Sequence, residues 1–128
     1  MKISGIHHVA MLTDRYEESK KFYTEVLGFS IISEVYRKER DSFKLDMAIN
    51  GVYTIELFTF PEYRERASFP EAKGLRHLAF VVDNVAKWIV FLRSKNIVVE
   101  DVRIDETTQK KFTFFYDPNG QPLELFEG

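Results

Sequence analysis

His8-Val9-Ala10, with Asp14 and Phe22 downstream and Ile55-Glu56-Leu57-Phe58 further on, is echoed by His77-Leu78-Ala79, Asp83, Phe91 and Leu123-Glu124-Leu125-Phe126. The His-to-Asp step is six residues and the His-to-Phe step fourteen in both copies, and His to Glu is 48 in one and 47 in the other. A repeat serving the core alone would preserve only apolar positions. Here two residue types able to bind metal recur in register, the mark of a site built from two equivalent modules.

Working outward from the first His, Ile6 to Leu12 is short, β-prone and bounded by Gly5 and Asp14, which predicts a strand. Tyr16, Phe22, Tyr23, Val26 and Leu27 recur at helical spacing, with Asp14 available as N-cap and Gly28 as the stop. Strands follow over 29–37 and 43–49, and Asn50-Gly51 is a strong hairpin signal leading into a strand over 52–60 that carries Glu56. The second copy predicts a strand over 76–82, then a helix from about Val85 to Ser94 capped by Asp83 or Asn84, with Trp88 in the core. Strands near 97–104, 111–116 and 121–126 complete it, the last two joined by the turn Asp117-Pro118-Asn119-Gly120. Both halves read βαβββ. The expected layout is one domain over 1–128, with module 1 at about 3–60 and module 2 at about 75–128. Residues 61–74, with two prolines and high charge, read as a linker, a lid or an arm that grips a partner.

Composition narrows the chemistry. A chain of 128 residues, 45% hydrophobic and 30% charged, suits one soluble globular domain. A net charge of −2 does not favour nucleic acid or an anionic membrane as partner. No apolar run approaches the roughly 20 residues of a membrane span, and Met1-Lys2-Ile3-Ser4-Gly5 lacks a signal-peptide core. Cytoplasmic location is the default expectation. With no Cys there is no disulfide, thiolate metal site or Cys nucleophile, and metal work falls to His, Asp and Glu.

In each module the His lies on the first strand and the Glu on the last. Strand alternation sets Glu124 against Leu123 and Leu125, and Glu56 against Ile55 and Leu57. Taken singly, a buried His is more often a hydrogen-bonded core residue, and a mid-strand Glu is usually just a wet face. Matched spacing makes His8, Glu56, His77 and Glu124 a candidate four-ligand set. Two imidazoles and two carboxylates suit Zn²⁺, Ni²⁺, Co²⁺, Mn²⁺ or Fe²⁺ better than Ca²⁺ or Cu⁺. Strand parity lets only one of His7 and His8 face the site, and the match to His77 selects His8, leaving His7 for the outer face. Arg37, Lys38, Arg40 and Lys44 form a basic cluster that reads as a solvated hairpin before it reads as a carboxylate or phosphate site.

The paired βαβββ pattern, the four candidate ligands, Phe22-Tyr23 with Val26-Leu27-Gly28-Phe29, and Asp117-Pro118-Asn119-Gly120 leading to Leu123-Glu124-Leu125 resemble the vicinal oxygen chelate superfamily, on its glyoxalase I-like branch. The resemblance spans essentially the whole chain. It implies an α+β fold of two tandem βαβββ modules forming a cup-shaped, curved mixed sheet around one divalent metal, nickel or zinc first. It also implies a homodimer in which His8 and Glu56 of one chain meet His77 and Glu124 of the other. The activity implied is a lyase or isomerase in which the metal holds two adjacent oxygens of a small-molecule substrate. A glutamate, Glu124 before Glu56, then moves a proton between carbons through an enediolate. The first strand reads Met11-Leu12 where a glutathione-binding Arg could sit, so the resemblance leaves open whether glutathione is used. Two other classes share the fold. An Fe²⁺ dioxygenase needs only two His and one carboxylate, so the second Glu argues against it. A small-molecule binding protein needs no metal and has no use for all four residues.

Overall fold

A computed structural model describes all residues from Met1 to Gly128. The chain forms two compact units, Met1–Arg64 and Glu65–Gly128. The first contains β1 (Val9–Leu12), α1 (Tyr16–Lys21), β2 (Ser30–Arg37), β3 (Ser42–Ile49) and β4 (Val52–Phe58). The second contains β5 (Leu78–Val82), α2 (Val85–Ser94), β6 (Arg103–Ile104), β7 (Lys111–Tyr116) and β8 (Pro122–Glu127). Each unit holds one four-stranded mixed sheet, in the order β1-β4-β3-β2 and β5-β8-β7-β6. The first and last strands of each unit pair in parallel, and the remaining pairs are antiparallel. No helix is long and apolar enough to cross a membrane.

Alternation along the strands divides each sheet into a core face and a polar face. In the first unit Leu45, Met47, Ile55 and Leu57 are fully buried beneath Phe22, Tyr23 and Phe29. In the second, Phe115, Leu123 and Leu125 meet Val85, Ile89 and Leu92 of α2. Each such side chain contributes about 1.5–3 kcal/mol by leaving water. Glu56 and Glu124 are thereby turned to the opposite faces, as alternation predicts.

Several local readings shift. His7, His8 and His77 precede their strands, which begin at Val9 and Leu78. Asp14 does not cap α1. The N–H of Arg15 instead donates to the Thr13 hydroxyl at 2.9 Å, and the Asp14 carboxylate accepts from Tyr63. After Lys21 the helix widens into a π turn over Phe22–Val26, which lets two consecutive aromatic residues, Phe22 and Tyr23, both face the core. Gly28 then ends it at φ 78°, a left-handed conformation that glycine adopts without Cβ strain. Asn84 caps α2, its side chain accepting from Lys87 N–H at 2.9 Å. Trp88 is half-buried at the margin of the helix, edge-on to Phe91, while Val85, Ile89 and Leu92 take the core. The strand expected near 97–104 shrinks to Arg103–Ile104 and an isolated bridge between Val99 and Phe115.

Edge strand β2 is exposed along nearly its whole length and is tied to α1 through Glu34. Its carboxylate accepts from Lys20 at 2.8 and 2.9 Å and from the Tyr16 hydroxyl. The Lys20 bond, then the Tyr16 bond, hold the Glu34 carboxyl below its ordinary range. A depressed folded value means that the stabilisation is present above the unfolded pKa and fades as pH falls through the folded one. Urea unfolding of Glu34→Gln should therefore lose a few tenths to about 1 kcal/mol near pH 7, the partial exposure of the pair keeping it small. As pH falls through the depressed folded value the variant and the parent should converge; an undiminished difference at the acid end of the series would exclude a charge-based clip.

Candidate functional site

The parallel pairing of first and last strands brings each His to its Glu. Ala10 lies opposite Glu56 and Ala79 opposite Glu124, so a His two residues earlier falls on the Glu face. His8 Nε2 stands 3.2 Å from Glu56 Oε2, and His77 Nε2 stands 2.9 Å from Glu124 Oε2. The Glu side chains are 15% and 12% exposed and the His side chains 34% and 31%, so both pairs are sheltered but reachable. The four candidate residues thus come together as two pairs; the chain has no group of three or more His, Asp or Glu placed to hold a metal ion.

The pairs fit the donor set of a divalent transition metal. Imidazole nitrogen and carboxylate oxygen are the ligands such ions take, with bonds of about 2.0–2.2 Å. In both units an Nε2 and a carboxylate oxygen face each other in close contact. His8 and Glu56 would supply one imidazole and one carboxylate, and His77 and Glu124 the same again.

Beyond that equivalence the surroundings diverge. His8 Nδ1 lies 2.8 Å from His7 Nδ1, and the two rings meet edge-on with centroids 5.1 Å apart. His7 is therefore not remote on the outer face: His8 directly adjoins the strand and keeps its alternation, whereas His7 lies one residue further out, where parity no longer governs. In this arrangement His7 can set which nitrogen of His8 carries the proton. His77 Nδ1 is buried without a partner, and its ring rests edge-on against Phe114 at 5.1 Å.

The two Glu residues differ for a reason visible in the register. Opposite Glu56 stands Asp46 on β3, and opposite Glu124 stands Phe114 on β7. The Tyr53 hydroxyl bridges the first pair of carboxylates, at 2.6 Å from Asp46 Oδ1 and 2.8 Å from Glu56 Oε2. Lys44 Nζ reaches the other Asp46 oxygen at 3.1 Å. Burial, then these two carboxylate partners, push the Tyr53 phenol well above its ordinary value. Glu124 has His77 as its one polar partner.

Strand alternation from Glu56 would send Tyr53 to the core face. It reaches the polar face because Met47 pairs with Ile55 while Ala48 pairs with Tyr53, leaving Thr54 as an extra residue in β4. The sequence offers no cue for this bulge beyond the adjoining Asn50-Gly51 turn. Tyr53 is therefore not legible from alternation, and Asp46 joins the site through a cross-strand register that only the fold fixes.

Comparison with known proteins agrees with this architecture. The chain belongs to the Glyoxalase/Bleomycin resistance protein/Dioxygenase superfamily, whose sequence pattern matches residues 5–125. It is 55% identical over 125 residues to the Escherichia coli (strain K12) protein YaeR, covering 98% of this chain and 97% of that one. It is 52% identical over 127 residues to YwkD of Bacillus subtilis (strain 168), covering 99% of each. Among solved structures, a glyoxalase family protein from Enterococcus faecalis is 44% identical with a TM-score of 0.90, over 99% of this chain and 100% of that one.

The Tyr53 bridge has a measurable weight. Tyr53→Phe leaves two sheltered carboxylates without their shared donor, and urea unfolding should show a loss of about 1–3 kcal/mol. Tyr63→Phe, which removes a hydroxyl from an exposed contact with Asp14, should stay within about 0.5 kcal/mol. Equal effects of the two would show that the bridge carries no special weight.

Proposed function

We propose that the chain is a divalent-metal-dependent lyase or isomerase of glyoxalase I type, acting on a small substrate with two adjacent oxygens. The observation that carries this reading is the duplicated His–Glu pair, an imidazole nitrogen facing a carboxylate oxygen at 3.2 Å in one unit and 2.9 Å in the other. Members of the superfamily generally bind a divalent metal and are often dimers. The full ligand set is assigned to a homodimer, with His8 and Glu56 of one copy joined by His77 and Glu124 of a second. Nickel or zinc is the first expectation for the ion, and cobalt, manganese and iron fit the same donors.

When bound, the ion supplies Lewis acidity, which makes a proton on the carbon beside a coordinated oxygen easier to remove. Glu124 is assigned the proton transfer, taking the proton on a carboxylate oxygen and returning it to the adjacent carbon. Its single polar partner leaves it lone pairs free, and the neighbouring Phe114 ring keeps water off that side. Glu56 is assigned the fixed role. One of its oxygens already meets both His8 and the Tyr53 hydroxyl, which holds the group still and leaves it less available as a base.

Chelator-stripped protein titrated by calorimetry with Ni²⁺, Zn²⁺, Co²⁺ and Mn²⁺ should bind about one ion per chain, and His77→Ala should abolish it. Absence of saturable binding by all of these ions would overturn the metal reading. Once a turnover assay on thiohemiacetals and related substrates exists, Glu124→Gln should lower kcat by roughly 10²–10⁴-fold and weaken metal binding far less. Mixing inactive His8→Ala and Glu124→Ala chains should restore up to about a quarter of the activity, because random exchange leaves one intact site in each mixed dimer. With exchange verified by mass spectrometry, zero recovery would place the site within one chain.

A further inference from the structure

Arg37 is a half-buried cation that no carboxylate neutralises. Arg40, Arg64 and Arg66 also form no ion pair, but they are exposed, as are the paired Arg15, Arg76, Arg93 and Arg103, whereas Arg37 is half-buried. Its guanidinium carbon lies 4.6 Å from the centre of the Phe58 ring and 5.8 Å from that of Phe60, so aromatic faces hold its plane. Nη2 donates to the Ser42 hydroxyl at 2.9 Å. Nε is buried and donates to nothing. With Nε shut away from solvent and the plane held by the rings, the Nη edge of the guanidinium is the one left open to a ligand.

Register puts this fork on the face that carries Glu56. Arg37 pairs with Ser42, Lys44 with Phe58 and Asp46 with Glu56, and alternation turns Ser42, Lys44 and Asp46 to one side of β3. Phe58 follows Glu56 by two residues on that face, roughly 7 Å along the strand. Lys44 stands between, its ammonium engaged with Asp46 on one side only. The face therefore runs from a His–Glu pair, past a lysine, to an uncompensated guanidinium.

We propose that Arg37, braced by Phe58, Phe60 and Ser42 and seconded by Lys44, binds an oxyanion carried by the substrate. A guanidinium presents parallel N–H donors that match two oxygens of a carboxylate or phosphoryl group, and an aromatic support removes the entropy cost of orienting it. The substrate class is then an anionic molecule whose charged group lies roughly 7–10 Å from the reacting oxygens, a separation set by the strand spacing. This deepens the functional reading above, which it uses only to say where the reacting oxygens lie.

The test uses metal-free, full-length protein, so that it succeeds or fails apart from metal binding. The Arg37 guanidinium signals, Nη and Nε, are followed by ¹⁵N NMR while methylphosphonate, in one arm, or malonate, in the other, is added at ionic strength fixed with potassium chloride. Saturable movement of these signals and of the Phe58 ring is expected in at least one arm, and the arm with the lower Kd names phosphoryl or carboxylate as the group recognised. Arg37→Met, which keeps the stem over the rings, should raise that Kd at least tenfold, read from the Phe58 signals. Arg37→Lys, which keeps charge without the fork, should fall between the two. No movement beyond the potassium chloride control in either arm would overturn the proposal, as would unchanged affinity in Arg37→Met. If Arg37→Met unfolds, the Arg37→Lys comparison decides alone, with unchanged affinity overturning it.

Discussion

The parallel pairing of the first and last strands in each unit is the constraint from which everything else follows. It sets Ala10 beside Glu56 and Ala79 beside Glu124, and a two-residue step back along the chain then delivers His8 and His77 to the same faces. Because alternation has a period of two, a slip of one residue in either pairing would send the imidazole to one side and the carboxylate to the other. The buried leucines and isoleucines flanking each Glu guard against that slip. Ile55, Leu57, Leu123 and Leu125 would have to enter water for the register to change. The apolar core and the candidate ligand pairs are held by the same residues seen from opposite sides of a sheet.

Within that shared frame the two units have been given different chemistry by what lies across from each Glu. Asp46 brings a second carboxylate, and with it Tyr53 and Lys44, so the first pair sits in a continuous polar chain. Phe114 brings a ring, so the second pair sits against an apolar wall with one histidine nitrogen unpartnered. A carboxylate tied by several donors is suited to staying put, and one with a single partner is suited to moving a proton. The division of labour proposed for Glu56 and Glu124 rests on this contrast.

The repeat was legible because it was written in both periodicities and chemistry. Spacing of His, Asp, Phe and Glu gave the order of elements in both units, and the bounds of α2 and β7 were read to the residue. The His–Glu partnerships were legible for the same reason. What escaped was whatever depended on a local departure from period. The extra residue at Thr54 turns Tyr53 to the face that alternation denies it. The π turn after Lys21 turns both Phe22 and Tyr23 inward. His7 lies two residues before the strand begins, where a parity argument has no force. Arg37 was visible as one charge in a basic cluster, but its stacking on Phe58 and Phe60 joins segments twenty residues apart and more, and only the folded chain shows it.

Position 46 and position 114 occupy the same slot in two copies of one unit. A change at either slot acts on its own glutamate through a contact made wholly inside that unit. Duplication thus supplies two independently editable environments for one pair of residue types. Reactivity can drift in one copy while the other continues to anchor, which offers a physical route by which one scaffold could acquire many chemistries without losing its fold.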